Sequence, residues 1–340
     1  MKGLRRTCAA VLLTSCWAGA AYGSDEVAPR QPHIGMYLTT MRFHVTDGSF
    51  DTDFWLWATL PAGPEWNPLE TLEVVDASRL EIRYPATVER IARPGSEYPA
   101  GSAVTWHTRR ISATLPYVWD MHNYPFDRHT LPIALEESVD DIDRVSYVAD
   151  VDESRLAPEL SIDGWTLTGF RLVASESEYQ TTFGDPVLPS GSGSSYTRIT
   201  ALVDVERDSL VSFAKLTCGV YVAFLIAALS FWLDTHEPGL TNPRISMLVG
   251  ALFAAMVNMR FAAQFTLVGN EAVTLVDRIH LVTLVFLLLA SLTAIASRLV
   301  GEAGRPALAR RLERRVAFWL YLVGFVAINA GMIADAATEG

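Results

Sequence analysis

The feature that most constrains this chain begins after residue 207. Four apolar stretches follow one another there, at 210–233, 244–265, 275–297 and 316–334, separated by polar segments. Each is long enough to cross a hydrocarbon layer of about 30 Å as a helix. A bilayer offers no water to satisfy backbone polar groups, so such stretches fold as helices. A four-helix transmembrane bundle is expected over 210–340. The preceding part has a different composition. Residues 24–209 hold 30 acidic and 14 basic side chains, and residues 210–340 hold 8 and 10. An acidic, water-soluble domain is therefore expected ahead of the membrane domain. That balance argues against nucleic acid as a partner.

The N-terminus carries an export signal. Lys2, Arg5 and Arg6 precede an apolar run from Cys8 to Trp17, and small residues end at Ala21-Tyr22-Gly23. This is the layout of a signal peptide over 1–23, with cleavage after Gly23. Leu13-Thr14-Ser15-Cys16 also resembles a lipoprotein box, which would leave Cys16 as a lipidated first residue. Either route exports residues 24–209. The third cysteine, Cys218, lies in the first apolar stretch, so no disulfide is expected in the exported domain. The seven histidines show no metal-ligand spacing, and no nucleotide-binding or hydrolase fingerprint is present. No cofactor is expected. An enzyme reading has only scattered Asp, Glu and His behind it.

Residues 33–207 read as short strands parted by Pro, Gly, Asp and Ser turns. Candidate strands fall at 33–45, 50–60, 69–83, 104–115, 130–135, 165–173 and 196–205. In 50–60 (FDTDFWLWATL), Trp55 and Trp57 fall on one face and Phe54 and Leu56 on the other. Seven strands with no helical period predict an all-β sandwich or barrel. Residues 184–195 (GDPVLPSGSGSS) predict a flexible hairpin tip between the last two strands.

The second apolar stretch is the least apolar of the four. Spacings of three and four collect Ser246, Gly250, Phe253, Val257, Arg260 and Gln264 on one helical stripe, small or polar at both ends and apolar between. Such a stripe suits a water-filled path enclosed by several copies, with Phe253 and Val257 as a constriction that gates by dewetting. It equally suits a helix buried in a bundle with tolerated polar residues. Arg260 either faces that path, reaches headgroups or pairs with Asp277. The linker 298–315 holds six arginines, which places it in the cytoplasm. Counting crossings then puts the signal-processed domain and the C-terminus outside, in the periplasm of a bacterial inner membrane.

Residues 117–131 read YVWDMHNYPFDRHTL. Tyr124-Pro125-Phe126-Asp127 resembles the Pro-Phe-Asp core of the loop between the sixth and seventh strands of pentameric ligand-gated ion channels, the Cys-loop receptor superfamily. The positions of that family's loop cysteines are Tyr117 and Leu131 here, as is usual for bacterial relatives without the disulfide. Arg207, just before the first span, resembles the family's pre-membrane arginine. The β-domain length, the four spans and the short third linker match as well, so the resemblance covers nearly the whole mature chain. It departs at Gly219, where many members carry a proline, and at Asn242-Pro243, where cation-selective members place a glutamate beside the basic residue matched by Arg244.

The resemblance implies an extracellular β-sandwich on a four-helix bundle, five copies around an axis, with the second span lining the pore. It implies a small-molecule agonist at the subunit interface, held by Tyr147, Tyr179, Phe183 and Tyr196 on one side and Trp55 or Trp57 on the other. Aromatic faces suit a cationic amine. It further implies coupling through Tyr124, Pro125, Phe126, Asp127 and Arg207 to the pore, and inorganic ions as the permeant species. Some bacterial relatives are gated by protons, and His122 and His129 flank the Pro-Phe-Asp core as candidates. A second reading keeps the architecture and makes the protein a poorly conducting ligand-binding sensor or adaptor, signalling through the arginine-rich linker.

Overall fold

The computed structural model describes residues 28–63, 65–186, 188–189, 191–234, 237, 239–266 and 273–339. The expected signal segment 1–23, with Cys8 and Cys16, lies outside the described residues. Among the described residues, ten strands build two sheets: β1 (His33–His44), β2 (Ser49–Pro61), β3 (Leu72–Val74), β4 (Arg79–Ile91), β5 (Ala103–Pro116), β6 (Arg128–Glu137), β7 (Val148–Ala149), β8 (Arg155–Leu156), β9 (Trp165–Tyr179) and β10 (Ser194–Arg207). The first sheet runs β4-β5-β2-β1-β7, with β8 also on β1, and the second runs β3-β6-β10-β9.

Alternation decides which face is buried. In β2, Phe50, Phe54, Leu56 and Ala58 point inward while Asp51, Asp53, Trp55 and Trp57 point outward. Ile34, Met36 and Leu38 of β1 and Ile111 of β5 join Phe54 and Leu56 on the first sheet. They share one core with Leu131, Ile133 and Leu135 of β6 and with Ile199, Ala201 and Val203 of β10. Burying each of the larger aliphatic and aromatic side chains among them contributes about 1.5–3 kcal/mol.

Residues 69–83 do not form the single strand expected. Asn67 caps a one-turn helix, α1 (Pro68–Thr71), by accepting from Leu69 N at 3.0 Å. β3 then joins the second sheet, Asp76 turns the chain in the left-handed region (φ 57°), and β4 joins the edge of the first sheet.

Among the described residues, four helices are long and apolar enough to cross a membrane. They include α2 (Ser209–Ser230), α3 (Thr241–Thr266), α4 (Leu275–Glu302) and α6 (Phe318–Glu339). Phe224 of α2 stacks on Phe325 of α6 at 3.7 Å between ring centroids and on Tyr321 at 4.8 Å. Leu248, Ala251 and Ala255 of α3 bury against the bundle, the two alanines allowing close approach. The segment expected as a linker at 298–315 is largely helical. α4 runs on to Glu302, α5 covers Pro306–Leu312, and a π-helical turn at Glu313–Ala317 leads into α6.

One polar contact ties three helices together. Asn258 Nδ2 on α3 donates to Leu216 O on α2 and to His280 Nε2 on α4, both at 2.8 Å. His280 Nε2 is then the acceptor, so Nδ1 carries the proton and donates to Val276 O at 2.7 Å. Gly219 makes room: a Cβ there would lie 2.3 Å from Asn258 Oδ1.

Candidate functional site

The junction of the two domains is built around Asp127. β10 ends at Arg207 and α2 begins two residues later, so Arg207 sits where sheet becomes helix. Register pairs Arg207 with Trp165 on β9. The Asp127 carboxylate, 2% exposed, accepts from Arg207 Nε at 2.8 Å and from Arg207 Nη2 at 2.9 Å. His129 Nε2 lies 3.0 Å from its Oδ2. Burial works to raise the Asp127 pKa, but the hydrogen bonds from His129 and Arg207 and the charge of Arg207 outweigh it and hold the pKa below its ordinary value. The Arg207 guanidinium lies over Trp165 at 4.1 Å and Tyr124 at 5.0 Å. Tyr117, Trp119 and Trp165 surround the His129 ring at centroid distances of 5.0–5.7 Å.

The same loop reaches the helices. The Tyr124-Pro125 peptide bond is cis. The Phe126 ring meets Phe213 of α2 at 5.3 Å. Arg278 of α4 donates to His122 O at 2.9 Å. Tyr124, Pro125, Phe126, Asp127 and Arg207 thus form one contiguous junction touching α2, with α4 bonded to the loop beside it. Of the two histidines flanking the core, His129 is buried in this cluster. His122 is exposed and pairs with Asp120 at 2.7 Å.

The six aromatic residues expected at an agonist site fall into three places. Tyr179, Phe183 and Tyr196 form a cluster at the β9–β10 hairpin, with ring centroids 5.1, 6.0 and 6.1 Å apart. Beside it, Glu136 accepts from Tyr179 Oη at 2.6 Å and from Arg198 Nε at 2.7 Å. Trp55 lies on the other sheet, stacked on Tyr84 at 6.1 Å. Tyr147 and Trp57 are tied into the structure. Tyr147 is 3% exposed, and its phenol donates to Glu137. Burial first, and the Glu137 carboxylate second, push the Tyr147 phenol pKa up. Trp57 Nε1 donates to Asp150 at 2.9 Å, and its ring covers Gly35, where a Cβ would lie 2.3 Å away. One copy of the chain does not bring the cluster and Trp55 together.

On α3 the predicted stripe has a definite orientation. Arg244, Leu248, Ala251, Ala255 and Ala262 are buried against the other helices. At 3.6 residues per turn, Ser246, Gly250, Phe253, Val257, Arg260 and Gln264 lie on average about 200° around the helix from that face. All six are exposed, Phe253 by 69% and Val257 by 51%. A Cβ on Gly250 would meet nothing within 4 Å. Arg260 does not pair with Asp277, which instead closes a capping box with Thr274 at the start of α4. No family model matches this chain, and no curated protein matches it.

Sequence reasoning missed Trp165, Tyr84, Glu136 and Arg198. Trp165 was accessible in principle, because two antiparallel strands joined as a hairpin place the end of one beside the start of the other. The Glu136–Arg198 pair depends on the register of β6 with β10, which apolar alternation alone does not number. Among the described residues, no group of three His, Cys, Asp or Glu is arranged to hold a metal ion.

Proposed function

We propose that this chain is a subunit of a ligand-gated ion channel that assembles as a homopentamer in a bacterial inner membrane. The β-domain and the C-terminus lie outside, and α3 lines the pore. The observation that carries this reading is the stripe Ser246–Gly250–Phe253–Val257–Arg260–Gln264. Among the described residues it is turned away from the helices that bury the opposite face of α3, yet it has a polar residue at each end. Lipid is a poor neighbour for Arg260 and Gln264, and a shared aqueous path is a good one. Phe253 and Val257 then form the narrow apolar level at which water is expelled in the closed state.

The resemblance in the Tyr124–Asp127 loop supports the same reading. So does the junction, where a buried charge cluster stands beside the Phe126–Phe213 contact with α2 while the adjoining loop is bonded to α4. Two packings of that junction would convert a change in the β-domain into a change in α3. The aromatic cluster of Tyr179, Phe183 and Tyr196 is our candidate for one half of an agonist site. Trp55 and Tyr84 of a neighbouring copy would supply the other half. Such a site suits a small amine, and His129 offers a route for protons.

The test is current from purified protein in planar bilayers, stepping pH and then a panel of small amines under a salt gradient. Evoked current that becomes constitutive in Phe253→Ala is the expected result. Silence in both proteins, from material shown to be pentameric, would leave the sensor reading in its place.

A further inference from the structure

Arg244 lies on α3 but belongs to the opposite face from the stripe. It is fully buried, its Nη1 donates to Leu233 O at 3.1 Å, and its guanidinium lies 5.6 Å from the Phe231 ring. Its counter-charge comes from outside the four long helices. Glu313, 6% exposed on the π-helical turn after α5, forms an ion pair with Arg244 and accepts from Ser297 Oγ of α4 at 2.7 Å. The adjacent helix is held the same way, Arg310 Nε lying 2.8 Å from Asp234 Oδ2. The pore stripe, continued toward its N-terminal end by steps of three and four, reaches Pro243 and Asn242, both uncharged. The nearest charge in sequence to that end is therefore Arg244, which Glu313 pairs on the far side of the helix.

We propose that Glu313 is a specificity-determining residue: by holding Arg244 inside the bundle, it keeps the cytoplasmic mouth of the conduction path neutral. The inference rests on the channel reading for its consequence in ion selection, though not for its local electrostatics. A guanidinium that loses a buried counter-charge moves toward water. At this end of α3 the water is that of the mouth. Five released arginines on a ring would draw anions and repel cations. The short linker thereby acts on the pore, although it lies on the opposite side of α3.

The experiment compares Glu313→Gln, Arg244→Gln and the double variant in bilayers under a potassium chloride gradient. Glu313→Gln should raise the chloride-to-potassium permeability ratio by about threefold or more. Arg244→Gln, which leaves Glu313 unpaired, should shift it the other way. The double variant should return to the wild-type value. A merely structural role for Glu313 would not reverse in the double variant, and that outcome, or an unchanged ratio in both single variants, overturns the proposal.

A second readout needs no current. In a Cys218→Ser background, Ser246→Cys is labelled in proteoliposomes with an anionic and a cationic thiol reagent, and the rates are read by mass spectrometry. Glu313→Gln should favour the anionic reagent, and Arg244→Gln the cationic one. Equal rate ratios in all variants overturn the proposal. A silent wild type with shifted ratios defeats the channel reading and leaves the role of Glu313 in place.

Discussion

Asp127 holds two partners on one carboxylate, and the sign of its pH dependence follows. Its pKa in the folded protein lies below the ordinary value of 3.8. The stability it contributes is therefore complete above about pH 4–5 and is lost as pH falls through the lower, folded pKa. Asp127→Asn removes the charge but leaves the partly buried Arg207 beside Trp165 and Tyr124 without its counter-charge. We expect a loss of about 3–5 kcal/mol at neutral pH, the usual result of breaking a buried pair from one side. Chemical denaturation of the purified protein at pH 7 and again near pH 3 checks both points. The deficit should narrow at the lower pH, because the wild type has then lost part of the same pair. This residue was legible from the sequence through the Tyr124-Pro125-Phe126-Asp127 motif, and Arg207 through its place just before the first apolar stretch. The cage around His129 was not legible. Tyr117, Trp119 and Trp165 come from two segments, and nothing in their spacing says that they converge.

At the scale of elements, what could be read depended on how each element is buried. β2, β5 and β10 lie in sheet interiors with one buried face, and their alternation marks them plainly. β4 is an edge strand with almost every side chain exposed, so the burial that creates alternation is missing. The arginine-rich segment 298–315, expected as a linker between spans, is largely helical. It folds as helix because Ala, Leu and Arg are good helix formers and because Arg310 finds a partner in Asp234, just after α2, and Glu313 one in Arg244 of α3. The contact of α3 with α2 can be tested at Gly219. An alanine there collides with Asn258 and displaces an amide that makes two hydrogen bonds. We expect a lower melting temperature in detergent for Gly219→Ala, equivalent to about 1–2 kcal/mol. Asn258→Ala removes both the bonds and the obstacle. The two changes should therefore be clearly less than additive in the double variant, which thermal melts of all four proteins would show.

For the molecule as a whole, the sequence located the division between sheet and helix within a few residues, at Arg207. It also gave the number of long helices. Composition changes abruptly there, because the two halves answer to different solvents. How the surfaces of separate copies meet is not written in alternation or hydropathy. It depends on which exposed groups from different sheets are complementary. The hairpin cluster and Trp55 lie on different sheets of one copy, and the proposed assembly brings them together between copies. Pairing Phe183→Cys with Trp55→Cys in a Cys218→Ser background should give disulfide-linked species on oxidation, up to five chains long, on a denaturing gel. Each single variant should stay at the mass of one chain. A ladder that stops at two would mean a dimer and would count against the ring.

The Asn258 contact also sets the mechanics of α3. Asn258 stands 17 residues from Thr241 and 8 from Thr266, so the helix extends about 25 Å to one side of it and about 12 Å to the other. Bonded to both neighbouring helices at that point, α3 cannot slide along its own axis without breaking the contact. It can swing about it. The contact is then the fulcrum of an unequal lever, on which a small push at the short arm is doubled at the tip of the long arm. Phe253 sits about 7–8 Å from the fulcrum on the long arm. A modest tilt therefore moves the phenyl ring only slightly, and Ser246 and Asn242 considerably more.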